Sequence, residues 1–420
     1  MKYKGKYVII FALLIFSLNL TGCFLFPPIE EHVAEWTVMV YLDADNELEA
    51  NGIKDINEME MVGSTSEVNM VVQVDRIPYS VLASYPYGLG FYDDSSNNDW
   101  TTTRRYYITR DFDPLKINSP VRAYLGELNM GDPQTLIDFA SWAMTNYPAK
   151  NYMLVLWNHG GGFRSPADTL KDICWDYTNW GDKITIPDLE YALSAISAQR
   201  GGKVDLVGMD ACLMAMMEVA YQIKDYADIL VASEENTPAD GWPYDAILGE
   251  LVNNPLMSPE ELASVIVDNY IYSYSSFSNV TQSALHLGYM DTLAGQLSNL
   301  ALAVMSDTQT PKDNYISAAS NAQYYSQSPY STEKEFIDLY DFANQLLVYS
   351  NNSKVKNIAL SIQQTLNYSI IESGYSGGKV SKSYGLSIYF PWYRGYDSYY
   401  EDTNFAQDTF WSQMLLHLGL

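Results

Sequence analysis

Cysteine, histidine and basic residues are scarce in this 420-residue chain: three Cys, four His, and 24 Lys plus Arg against 51 Asp plus Glu. Three cysteines cannot make a disulfide framework. Four histidines leave little material for a His-rich metal site. The formal charge of −27 argues against nucleic acid as a partner, because a phosphate backbone would be repelled. No HExxH, P-loop or dinucleotide fingerprint is present, and no internal repeat, coiled coil or long low-complexity linker. The chain is nevertheless 47% hydrophobic and 14% aromatic, which excludes a disordered acidic tail as its main content. Its length fits one large domain or two to three average ones. The charge reads first as solubility outside the cell.

The N-terminus points to that compartment. Lys2, Lys4 and Lys6 precede an uncharged apolar run, Tyr7 to Leu20, which is the layout of a secretory signal and short for a transmembrane helix. The run ends in Leu20-Thr21-Gly22-Cys23, which resembles the lipobox of bacterial lipoproteins. That resemblance implies cleavage before Cys23 and a diacylglycerol on its sulfur, with residues 1–22 as signal and 23–35 as tether. The protein would then be extracytoplasmic, anchored to a bacterial membrane without spanning it. The mature chain would carry 21 basic and 51 acidic residues, a charge of −30. Cys174 and Cys212 would remain, either paired or with one as a working thiol.

From Trp36 onward, short β-rich runs alternate with helical spacing. WTVMVYL (36–42), NMVVQV (69–74), YMLVLW (152–157), Val204 to Met209 and Ile229 to Ala232 read as strands. Helices are expected over 47–61, with Asp45 as cap, and over 132–147, 187–199 and 213–223. Nearly continuous apolar strands separated by helices indicate a mostly parallel sheet covered on both faces. The last third is less regular and α-rich, with a soft boundary near 255–280.

Two loops carry candidate chemistry. Asn158-His159-Gly160-Gly161-Gly162 follows one buried strand, and Asp210-Ala211-Cys212 follows another. In open α/β sheets, ligands bind at those carboxyl ends, so an imidazole and a thiol are expected on one rim. A thiolate nucleophile needs a base or a favourable field, and a helix starting after Cys212 would supply the latter. Taken singly, a Cys at a strand end or a His before a glycine turn is more often a packing residue. The order and the separation of 53 positions match the caspase-type arrangement.

The segments WTVMVYLDADNELE, NYMLVLWNHGGGF, DLVGMDACLM and ASEENTPADGWPYDAIL resemble the clostripain-like cysteine peptidases, a branch of the caspase-like proteases. The likeness runs from about Trp36 to Leu248, with a weaker echo at 336–342. It implies a caspase-like α/β/α sandwich, with 36–255 as catalytic core and 256–420 packed on it. It implies Cys212 as nucleophile, His159 as general acid/base, and the N–H groups of Gly160 and Cys212 as oxyanion donors. It implies cleavage of protein or peptide substrates after Arg or Lys, with Asp210 in the specificity pocket. Asp240 is a second candidate there, or simply a turn residue. Self-cleavage between His and Cys is implied, with Lys171 the preferred position, and Cys174 is expected to be structural. No cofactor is expected for the chemistry, although calcium stays open because some relatives need it. The run Asp43-Ala44-Asp45-Asn46-Glu47 is not an EF-hand, since Leu48 stands where the turn glycine belongs, and no metal ligands are assigned. The competing reading is a catalytically silent surface binding or adhesion lipoprotein on the same scaffold, using the Tyr/Ser-rich C-terminal third.

Overall fold

The computed structural model describes residues 32–84, 94–163, 172–276, 279–326, 335–392 and 395–420. Residues Val33–Leu420 form one compact unit, built around a nine-stranded sheet. In chain order the strands are β1 (Ala34–Ala44), β2 (Val68–Arg76), β3 (Thr103–Tyr107), β4 (Val121–Gly126), β5 (Ala149–Trp157), β6 (Ile173–Asp176), β7 (Asp182–Ile184), β8 (Val204–Asp210), β9 (Ala227–Ala232), β10 (Val280–His286), β11 (Tyr324–Tyr325), β12 (Phe336–Asp338), β13 (Ile370–Ser376) and β14 (Ser387–Tyr389). The large sheet has the order β13-β10-β9-β8-β5-β1-β2-β3-β4. Its five central strands, β9 through β2, run parallel. Antiparallel pairs close both edges. β6 and β7 form a separate hairpin, and β11, β12 and β14 a small sheet.

The strands alternate their side chains between two cores, as period two demands. Met39, Tyr41, Leu154, Leu156, Val207 and Met209 face one layer of helices, including Pro133–Asn146, Ile186–Arg200 and Met290–Met305. Val38, Val40, Leu42, Met153, Val155 and Leu206 face the other, formed by Glu49–Val62, Tyr244–Asn253 and Pro259–Ser273. The result is the expected α/β/α sandwich with a parallel centre. Residues beyond 255 contribute β10 and β13 to the same sheet. No helix among the described residues is long and apolar enough to cross a membrane.

Two local expectations are corrected. Asp45 does not cap the first helix, which starts at Glu49 with Leu48 at the cap position and no side-chain bond. The segment after Cys212 is not helical until Met217. Leu213 is left-handed (φ 61°), Ala215 N–H donates to Ser233 O at 2.9 Å, and Ser387 N–H donates to Ala215 O. Residues 211–216 are therefore stitched to the segment just after β9 and to β14 instead of winding. Cys212 gains no helix-dipole field from a seven-residue helix that begins five positions later.

Candidate active site on the carboxyl rim

Parallel register places the two loops side by side. Leu42 pairs with Trp157, and Trp157 with Asp210, so β1, β5 and β8 end together. The loops touch through Gly160. A Cβ built there would lie 2.4 Å from Cys212 O and 3.0 Å from Cys212 N. Only glycine lets the His159 loop rest on the Cys212 backbone. Gly162 has φ 66°, and a Cβ there would lie 2.2 Å from Met216 Sδ. Phe163 then anchors the loop edge-on against Tyr389 and Tyr400, each 4.7 Å between ring centroids.

Cys212 is half-buried. Thr237 N–H donates to its sulfur at 3.2 Å. Burial pushes the thiol up to about 11, helped by the charges of Glu235 and Asp210, while the N–H groups of Thr237 and Gly160 pull it down. The resting group is a thiol at neutral pH. Its alkylation by iodoacetamide is expected to be slower at pH 7 than that of an exposed cysteine, and to keep rising above pH 9. A plateau near pH 7 would contradict this assignment.

His159 has a partner that the sequence reading missed. Its Nε2 lies 2.8 Å from Glu47 Oε1. Burial raises the Glu47 carboxyl, but the hydrogen bond and charge of His159 outweigh it and the net shift is downward. Glu47 follows β1, and β1 neighbours β5, so an acid just past a parallel strand was the available signal. The backbone beside it is fixed by Asn158, whose Nδ2 donates to Asp43 O and Oδ2, both at 2.8 Å.

Asp210 closes β8 beneath Cys212 and is 4% exposed. Its Oδ2 accepts from Trp242 N–H at 2.9 Å and Tyr244 O–H at 3.2 Å. Its Oδ1 has no hydrogen-bond partner among the described residues. Burial pushes this carboxyl up to about 7 against those two bonds, with a further push from Glu58. Asp55, also buried, feels the Asp210 charge. Asp240 sits differently: its side chain is 65% exposed and pairs with Lys54 at 2.9 Å. Gly241 next to it backs onto Asp210, where a Cβ would lie 2.7 Å from Oδ2. Cys174 is buried with a raised pKa, chiefly from desolvation. Cys23 and Lys171 lie outside the described residues.

A second acidic group lies on the same rim. One carboxylate oxygen each from Asp45, Asp75, Glu127 and Asp176 falls within a 4.8 Å set. Burial, then the charge of Asp176, raises Asp45 to about 7, and burial, then the charge of Asp45, raises Glu127 to about 8. A cavity of about 450 Å³ lined by Met144, Lys150, Tyr152, Gln199 and Arg200 lies at the other end of β5, away from this chemistry.

The model of the clostripain family matches residues 40–417. Clostripain of Hathewaya histolytica is 29% identical over 427 aligned positions, spanning 87% of this chain and 77% of that protein. Among solved structures, an inactive zymogen protease from Parabacteroides distasonis superposes with a TM-score of 0.65 at 20% identity, covering 90% of this chain and 98% of that one. A secreted cysteine protease from Bacteroides thetaiotaomicron, held with an irreversible peptide inhibitor, gives 0.66 at 20% identity, covering 90% and 100%. At that identity the superpositions establish the caspase-like fold. The chain belongs to the clostripain family and is a cysteine peptidase.

Proposed function

We propose that the protein is an endopeptidase cutting after Arg or Lys through a His159–Cys212 dyad. The observation that carries this reading is the contact of the two loops at Gly160, above a buried carboxylate with one oxygen unbonded. With Nε2 of His159 occupied by Glu47, Nδ1 is the ring atom left to exchange a proton with Cys212. The sulfur attacks the scissile carbonyl and its proton passes to Nδ1. The N–H groups of Gly160 and Cys212 receive the oxyanion. His159 returns the proton to the leaving amine, and water then hydrolyses the thioester. Asp210 receives the guanidinium or ammonium of the residue before the bond, because a desolvated carboxylate with a vacant oxygen makes a strong charge-assisted bond. Asp240 is too exposed for that role and belongs to the outer wall with Lys54.

Gly160→Ala tests the loop contact. The added methyl collides with backbone, so kcat for an Arg-amide substrate is expected to fall by about 10²–10³-fold, the loss of one oxyanion donor. Unchanged kcat would remove Gly160 from the site. Glu47 positions His159, and Glu47→Ala is expected to lower kcat about tenfold or more with little change in KM. Glu47→Gln, which keeps a hydrogen-bond acceptor, recovers part of that loss.

We also propose self-cleavage near Lys171 and lipid attachment at Cys23. Asp172, just past the cut, is buried and paired with Lys183 at 3.1 Å, so the new end starts at an anchored residue. Intact mass of the purified wild type should show two pieces and a lipidated Cys23, against a single piece in Lys171→Ala. A cut elsewhere, or an unmodified Cys23, would refute the respective part. The lipid would hold the peptidase on the outer side of a bacterial membrane.

A further inference from the structure

Among the described residues, the four carboxylates on this rim have no charge partner. Asp45 follows β1, Asp75 lies in β2, Glu127 follows β4 and Asp176 ends β6, so four separate chain segments converge. Asp45, Asp75 and Asp176 are fully buried, and Glu127 is exposed at the mouth. None of the four forms a salt bridge among the described residues. Ionised together, like charges this close would repel by several kcal/mol in a partly buried setting, so the cluster favours either shared protons or a bound cation.

An independent observation shows what the cluster lacks. Asp45 Oδ2 is buried with no N–H donor among the described residues, its carboxyl set against that of Glu127, while Oδ1 accepts from Thr178 N–H at 3.1 Å. The other buried members are held and aimed by donors. Asp75 accepts from Thr103 Oγ1 at 2.8 Å and from Arg76 N–H at 2.9 Å. Asp176 accepts from Met130 N–H and Asn179 N–H, each at 2.8 Å. Three buried carboxylates, one of them with the orphaned oxygen, and one solvent-facing carboxylate make an all-oxygen donor set open to water on one side. Such a set suits a hard cation, and calcium above magnesium, because calcium accepts six to eight oxygens in irregular geometry. The residues therefore fit the ion that the family resemblance leaves open.

We propose that Asp45, Asp75, Glu127 and Asp176 bind one calcium ion, and that the ion clamps the loop carrying Glu47 to the segment Ile173–Thr178. The two segments are already tied: Tyr177 N–H donates to Asp45 O at 2.9 Å, and Asn46 Nδ2 to Trp175 O at 3.1 Å. Asn158, next to His159, reaches both, donating to Asp43 and to Trp175 O at 3.3 Å. A bound ion would offset the mutual repulsion of the ionised carboxylates and add a further tie between the two segments. It thereby steadies Glu47, two residues from Asp45, and through it the ring of His159. The binding site stands without the peptidase reading; its effect on His159 rests on that reading.

The test is titration of chelator-treated full-length protein, in a Cys212→Ala background that cannot cut itself, with calcium and with magnesium. Calorimetry should report one calcium per chain, magnesium binding at least about tenfold weaker, and a melting midpoint raised only by bound calcium. Terbium at the same site should luminesce on excitation of Trp175, which adjoins Asp176. Glu127→Gln, at an exposed position that the fold tolerates, should weaken calcium at least about tenfold, and Asp45→Asn more. No binding, equal affinity for the two metals, or undiminished binding in both variants would overturn the proposal. None of these readouts depends on turnover, so a failed peptidase assay leaves the result interpretable.

Discussion

Asp210→Asn is expected to lower kcat/KM for Arg-bearing substrates by about 30-fold to several thousandfold, while making the folded protein more stable at pH 8. The first effect follows from removing one partner of a buried charge pair, which costs roughly 2–5 kcal/mol. The second follows from the position of the carboxyl. Its pKa is pushed up to about 7 by burial, above the unfolded value of about 3.9. The native state thus holds a proton that the unfolded chain has released. Stability from this group is complete below about pH 4 and is lost as pH rises through about 7. The forfeited amount is on the order of 4 kcal/mol. Asn carries no such cost, so the variant should melt several degrees above wild type at pH 8 and near it at pH 4–5. The same titration shapes activity with the opposite sign. In the proposed pocket it is the ionised form that would bind the guanidinium, so wild-type kcat/KM on Arg substrates should climb through about pH 7. A variant that cleaves after Arg as well as wild type, or that melts lower at pH 8, would contradict the pocket assignment.

His159→Ala is expected to lower kcat by about 10²–10⁴-fold, the usual contribution of a positioned general acid/base. Here the dependence should sit at the upper end, because Cys212 rests as a thiol near pKa 11 and no helix dipole assists it. Without the imidazole there is no acceptor for its proton, and no donor for the leaving amine. KM should change little, since His159 does not hold the substrate side chain. A loss confined to KM, with kcat intact, would assign His159 to substrate binding instead.

Much of the rim was legible in sequence, for a physical reason. β1, β2, β5, β8 and β9 are buried on both faces, so they appear as short apolar runs, and Trp157 and Asp210 mark where two of them stop. The edge strands gave no such signal. β4 alternates between half-buried and exposed side chains, and β13 is half-exposed along almost its whole length with the polar sequence IIESGYS. β12 is only three residues long and runs directly into the helix Leu339–Tyr349, too short to show an alternation of its own. The segment after Cys212 was misread as helix because Leu213 to Met217 has helical composition, while its conformation is dictated by bonds to the segment just after β9 and to β14. Glu47 and the four-carboxylate cluster were hidden for a different reason. They depend on which strands become neighbours, and positions 45, 75, 127 and 176 have no common spacing until the sheet assembles them.

The most direct test of the dyad and pocket is peptide mapping by mass spectrometry after labelling the intact protein with an irreversible peptidyl-Arg ketone. The proposed mechanism predicts one covalent adduct on Cys212, much slower labelling in Asp210→Asn, and no adduct in His159→Ala over the same interval. An adduct on Cys174 or another residue, or labelling of Cys212 at equal rates in all three proteins, would contradict it.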